Sequence, residues 1–212
     1  MRTFLFVFLV FALLNCSAQK ALTVKFFGLS YHPGGDPTAE VQPYKLDKNA
    51  RFVMNYGAFV GYEKFIYEDL VSVKAIQGLM SDCSAGLASV SHIGIRARVF
   101  ATKKHQLYVG IGPTFLVRDS WSRFGQKYSS SGYFNEDYSQ ALGDVQWKFV
   151  PYGFEFEYDY RCTEKDHFSI SVTPAFPLAV VTSVGWKHWI EIKKYPEWKL
   201  HQPKKVKRRT LK

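Results

Sequence analysis

Cysteine is scarce in this 212-residue sequence: Cys16, Cys83 and Cys162 are the only three. That is too few for a disulfide scaffold. Beyond the first twenty residues no apolar run approaches the roughly 20 residues that a membrane-spanning helix needs, and no segment carries a convincing amphipathic-helix period. The six histidines (His32, His92, His105, His167, His188, His201) include no pair at a metal-binding spacing such as HxxxH, so no metal site is expected. GxSxG, P-loop and GxGxxG motifs are missing, and no cofactor is expected. Gly110-Ile111-Gly112 is a lone glycine pair within a strand, better explained by close packing beneath a bulky side chain than by phosphate binding. Charge of one sign is lacking everywhere except at one end. The formal net charge is +10, but from residue 190 onward nine Lys/Arg stand against Glu191 and Glu197, a net +7. The rest is close to neutral, which removes the argument for nucleic acid as a partner.

What is present begins with a leader. Arg2, the apolar run Phe4 to Leu14 and the small residues Cys16-Ser17-Ala18 before Gln19 form a signal-peptide pattern, with cleavage expected after Ala18. Leu13-Leu14-Asn15-Cys16 leaves a lipoprotein signal, with Cys16 lipidated, as the rival. The sequence therefore divides into a signal peptide over 1–18, one folded domain over 19–189, and a basic tail over 190–212. The composition of that tail predicts disorder, or contact with anionic lipid head groups or cell-wall polymer.

The whole chain is 17% aromatic, and its folded part reads as strands of about ten residues separated by polar clusters. Eight are expected, at 22–29, 52–62, 70–80, 86–100, 107–117, 149–158, 167–176 and 180–189. The connections between them alternate. The second, fourth and sixth are short, while the two long ones, 30–51 and 118–148, are both odd-numbered. Short turns at one end and long loops at the other predict an all-β, antiparallel, eight-stranded up-and-down transmembrane β-barrel in a Gram-negative outer membrane. Outer-membrane lipids and lipopolysaccharide are then its expected surroundings.

Alternation assigns faces. Ile95, Ala97 and Val99 oppose Arg96 and Arg98; Phe154, Phe156 and Tyr158 oppose Glu155, Glu157 and Asp159; Phe168, Ile170 and Val172 oppose Ser169, Ser171 and Thr173. In a membrane barrel the apolar faces meet lipid, and Arg96 and Arg98 pair with Glu155 and Glu157 across a narrow lumen. In a soluble periplasmic β-domain the same alternation would point the apolar faces inward. Tyr31, Trp121, Trp147, Tyr152, Tyr158, Tyr160, Trp186 and Trp189 cluster near strand ends and are expected as interface girdles. Cys83 and Cys162 are expected at opposite ends of the barrel and therefore unbridged; a reactive or metal-binding thiol at Cys83 is the functional alternative.

Arg118-Asp119-Ser120-Trp121 resembles the Lys-Asp-Ser-Trp motif of the lipid A palmitoyltransferase family, eight-stranded outer-membrane barrel enzymes. His32 lies in the first long loop, where that family carries its histidine. The resemblance implies acyl transfer with His32 as base and Ser120 as hydroxyl, assisted by Asp119. In that family the motif follows the third strand, whereas here it follows the fifth, and the polar lumen residues leave little room for an acyl pocket. His167-Phe168-Ser169 has the His–Ser spacing of the outer-membrane lipid A deacylases, but at the periplasmic end. Three readings follow from the sequence: a plugged, non-enzymatic barrel acting through its loops in surface binding or envelope integrity; a lipid acyltransferase or deacylase; and a soluble β-domain.

Overall fold

A computed structural model describes residues 19–128, 139–142, 144–173 and 180–192. The expected signal peptide with Cys16, nearly all of the basic tail, and the connection around Pro177 lie outside the described residues. Among the described residues there are nine strands: β1 (Lys20–Tyr31), β2 (Phe52–Tyr67), β3 (Val71–Ser81), β4 (Leu87–Ala101), β5 (His105–Asp119), β6 (Ser139–Leu142), β7 (Val145–Arg161), β8 (Asp166–Thr173) and β9 (Val180–Glu191).

Eight of them form a ring. Each of β1 to β4 pairs antiparallel with the next, β5 pairs with β7, and β7, β8 and β9 follow in order. Pairing of β9 with β1, from Lys20↔Glu191 to Tyr31↔Val180, closes the circle. The chain is thus an antiparallel eight-stranded up-and-down barrel, and closure removes the unpaired edges that an open sheet would expose. The sequence reading lacked β6, which lies inside the expected 118–148 loop. It takes the β8-side edge of β7 over Val145 to Lys148, beyond the point where β8 stops.

The strands run longer than their apolar pattern suggested. β2 continues through Glu63 and β7 begins at Val145, because charged and amide side chains on these stretches point inward instead of marking turns. At one end the connections are tight, spanning 68–70, 102–104 and 162–165. At the other lie 32–51, 82–86 and 120–144.

Faces alternate as period two requires, with the usual polarity of a water-soluble domain inverted. Phe26 is 60% exposed and Ile95 58%, whereas their neighbours Lys25 and Arg96 are 2% and 1% exposed. Val60, Leu79, Ile111, Phe156, Ile170 and Val184 join the apolar exterior. A soluble β-domain would turn this face inward, and that expectation is not met. Two expected girdle residues also belong elsewhere: Trp121 and Trp189 are buried, while Tyr31, Tyr152 and Trp186 stay on the outer surface. For Trp189 the cause is parity, since it shares its side of β9 with Lys187 and Trp186 takes the other side.

Candidate functional site

Three layers fill the lumen. Nearest the tight turns, Ala21, Phe65, Tyr108 and Trp189 pack together, with the Phe65 and Trp189 rings 5.6 Å apart. Toward the long loops, Phe59, Ile76, Val90, Leu116 and Val181 form a second apolar layer, with Met80 and Val150 against it. Between them lie four cations, Lys25, Lys74, Arg96 and Lys187, and four carboxylates, Glu63, Glu155, Glu157 and Asp159, all buried.

The ions are tightly cross-linked. Arg96 donates to Glu157 at 2.8 Å and lies 3.2 Å from Glu63 and 3.4 Å from Glu155. Lys74 donates to Glu155 at 2.6 Å and Glu157 at 2.5 Å. Lys187 reaches Asp159 at 2.6 Å, Glu63 at 3.1 Å and also Glu157. Lys25 donates to Glu157 as well, so Glu157 contacts all four cations. Ser72 and Ser169 donate to Glu63 and Asp159, each at 2.5 Å. Arg96 and Lys187 both sit over the Tyr108 ring, at 4.6 and 4.5 Å from its centroid. Four charges of each sign cancel, and mutual coordination of this kind is what lets ions persist away from water.

Of the lumen residues singled out from sequence, Arg96, Glu155 and Glu157 meet. Arg98 does not join them: it pairs with Asp69 beside the 68–70 turn. Two residues along a strand is about 6.6 Å, which carries this position out of the ionic layer toward the tight turn. The sequence reading missed Lys25, Glu63, Lys74 and Lys187. For the three lysines the signal was a charge on the face opposite apolar neighbours; Glu63 falls in the expected turn after residue 62. Gly110 lies directly beneath Arg96, where an added Cβ would come 2.7 Å from Arg96 Cγ.

The mouth at the long-loop end is ordered by side-chain oxygens. Asp36 accepts from the Thr38 amide (2.8 Å), the Thr38 hydroxyl (2.6 Å) and Gln42 Nε2 (2.7 Å). Asp82 Oδ1 accepts from the amides of Ser84 and Gly86 and from the Ser84 hydroxyl, while its Oδ2 takes the Trp121 indole N–H at 2.5 Å. Arg118 covers the Trp121 ring at 4.3 Å from its centroid. The two long connections are clasped through Glu40, which accepts from Lys127 Nζ at 3.1 Å and from the Tyr128 hydroxyl. The Tyr128 hydrogen bond and then Lys127 hold the Glu40 carboxyl below its usual range.

Among the described residues no hydrogen bond links the three residues of the acyl-transfer expectation, His32, Asp119 and Ser120, to one another. Ser120 Oγ caps the 3-10 turn Trp121–Phe124, accepting from the Ser122 amide at 3.2 Å and donating to Ser122 Oγ at 2.8 Å. Asp119 accepts from the Leu87 amide at 2.8 Å and ties β5 to the start of β4. His32 instead faces Cys83, with Nε2 3.6 Å from Sγ. Burial pushes the Cys83 thiol up to about 12 and lowers His32, although Asp36 opposes the latter. His167 is buried at the tight-turn end and accepts the Trp189 indole N–H at 3.3 Å, so it serves the plug. Cys162 lies in the 162–165 turn, at the far end from Cys83, and both thiols are free. Among the described residues no three His, Cys, Asp or Glu converge as a metal cluster.

No family model matches the chain, and no curated protein matches it. Solved structures similar to it include the N-terminal β-barrel domain of Pseudomonas aeruginosa OprF, at 12% identity and TM-score 0.44, covering 82% of this chain and 99% of that one. Another is Ail, the attachment invasion locus protein of Yersinia pestis, in complex with the heparin analogue sucrose octasulfate, at 12% identity and TM-score 0.43, covering 81% and 97%. A third is the de novo designed TMB2.3, at 10% identity and TM-score 0.44, covering 84% and 99%. At these values the barrel assignment rests on the chain's own strand pairing.

Proposed function

We propose that this chain is an integral outer-membrane barrel with a closed lumen, acting through its long loops in surface binding or envelope integrity. The observation that carries the reading is the neutral layer of four cations and four carboxylates between two apolar layers. An eight-stranded barrel is just wide enough for side chains to fill, and a lumen packed in this way supports a barrel that does not conduct. The apolar exterior supports a lipid setting. The clasp through Glu40 supports a preformed outer surface built from both long connections.

On this reading the surroundings are outer-membrane lipids, with lipopolysaccharide in the outer leaflet, and a leader over 1–18 delivers the chain there. The basic segment after residue 190 would meet anionic head groups or cell-wall polymer. No observation favours acyl transfer: the Ser120 hydroxyl is spent on a cap, and His32 faces a thiol.

The test combines conductance and deletion. Purified protein in planar bilayers should give no step conductance above leak. Deleting 36–49 or 121–142 should alter surface binding or envelope integrity while the barrel still folds. Steady conductance, or unchanged surface phenotypes in both deletions, would overturn the reading.

A further inference from the structure

Thr23 on β1 and Glu155 on β7 are 2% and 1% exposed inside the lumen. Neither Thr23 Oγ1 nor Glu155 Oε2 has a hydrogen-bond partner among the described residues, although Arg96 Nε stands 3.4 Å from the latter. Polar atoms left in this way away from water are costly. Both residues line one small cavity, between the ionic layer and the apolar layer that holds Phe59 and Ile76. Gly61 makes the room. It pairs with Thr23 on one side and Ile76 on the other, and a Cβ there would come 3.3 Å from Lys74 Cε and 3.6 Å from Thr23 Cβ. The centre of a water-sized sphere can move over about 10 Å³ in this cavity, the space that one water molecule needs. Of the other polar groups on its wall, Ser171 is hydrogen-bonded to Ser183 at 2.9 Å and Lys74 to Glu155 and Glu157. Lys25 donates to Glu157, and its ammonium group has three N–H bonds to give.

We propose that this cavity is a binding site for one ordered water molecule, held by Thr23 and Glu155 inside the plug. Cavities that stay dry are apolar, whereas this one carries a carboxylate oxygen, a hydroxyl and an ammonium group on its wall. The mixed signs disfavour an ion: Glu155 repels an anion, and Lys25 and Lys74 repel a cation. The water donates one O–H to Glu155 Oε2 and the other to Thr23 Oγ1, and it accepts from Lys25 Nζ. Three hydrogen bonds are the usual complement of a buried water. It thereby ties β1 to β7, which are not neighbours in the ring, and completes the ionic layer on the side of Phe59. The site goes beyond the closed-barrel reading, since one enclosed water is no path for conduction.

Diffraction from crystals of the full chain in detergent tests the site. The native map should show one water peak at hydrogen-bond distance, about 2.7–3.2 Å, from both Thr23 Oγ1 and Glu155 Oε2. Thr23→Ser should keep the peak and Thr23→Val should lose it. Urea unfolding in lipid vesicles supplies the sign of the effect. With the water in place, Thr23→Val gives up a hydrogen bond and should lower the folding equilibrium constant about fivefold. In a dry cavity the same change would only remove an unpaired hydroxyl, and folding would be unchanged or favoured. A native map without the peak, a peak that persists in Thr23→Val, or a Thr23→Val barrel at least as stable as the native one would each overturn the proposal. Should Thr23→Val not fold, the native and Thr23→Ser maps decide.

Discussion

Arg96 on β4 and Glu157 on β7 meet at 2.8 Å in the middle of the lumen, and neither side chain reaches solvent. Because Glu157 also contacts Lys25, Lys74 and Lys187, removing its charge leaves four buried cations short of a partner. Glu157→Gln should destabilise the barrel by about 3–5 kcal/mol, the usual cost of breaking a buried pair from one side. Arg96→Met combined with Glu157→Gln should cost less than the sum of the single changes. Urea unfolding in lipid vesicles measures both, and additive losses would show that the pair is not coupled.

Gly110 gives room to the same guanidinium. A Cβ at this position would meet Arg96 Cγ at 2.7 Å, and the ion pairs keep Arg96 from moving aside. Gly110→Ala should therefore lower stability by about 1–3 kcal/mol, as overpacking does, in the same unfolding assay. A neutral result would mean that the ionic layer can shift as a unit.

Trp189 and Trp186 lie three residues apart on β9 and face opposite ways. Trp189→Ala should open a cavity beside Phe65 and Tyr108 and cost about 3–5 kcal/mol. Trp186→Ala removes an outward ring and should cost far less. Equal losses for the two would contradict the placement of Trp189 in the plug.

The Glu40 clasp should be sensitive to acid. Its carboxyl is held below the ordinary 4.5 by Tyr128 and Lys127. A lowered carboxylate contributes above its ordinary value, and that contribution is lost as pH falls through the lowered one. Limited proteolysis of the long connections should accelerate toward acid pH. Glu40→Gln should raise cleavage at neutral pH and flatten the pH response. An unchanged cleavage rate in that variant would show that the clasp does not hold the loops.

Much of the fold was legible in the sequence because period-two alternation and the rhythm of connections are local signals. Ile95–Arg96–Ala97 and Phe154–Glu155–Phe156 reveal their faces without any tertiary knowledge. The ionic layer was legible only where charges repeat at alternate positions, as in Glu155, Glu157 and Asp159. Lys25, Lys74 and Lys187 lie on three different strands, and only closure of the ring brings them together. Arg98 misled because alternation gives the face but not the height along the barrel. Asp119 and Ser120 show a further limit of local pattern: a Ser after an Asp at a strand end suits a turn cap as well as chemistry, and here Ser120 caps the Trp121–Phe124 turn. The His32–Cys83 approach joins residues 51 apart and has no sequence signature.

The central claim is that the barrel turns its apolar face to lipid and its ions inward. Single-tryptophan variants retaining only Trp186 or only Trp189, reconstituted with lipids brominated on their acyl chains, test it most directly. Trp186 fluorescence should be strongly quenched and Trp189 fluorescence spared. Equal quenching of both, quenching of Trp189 alone, or a chain that stays monomeric in water without detergent would contradict it.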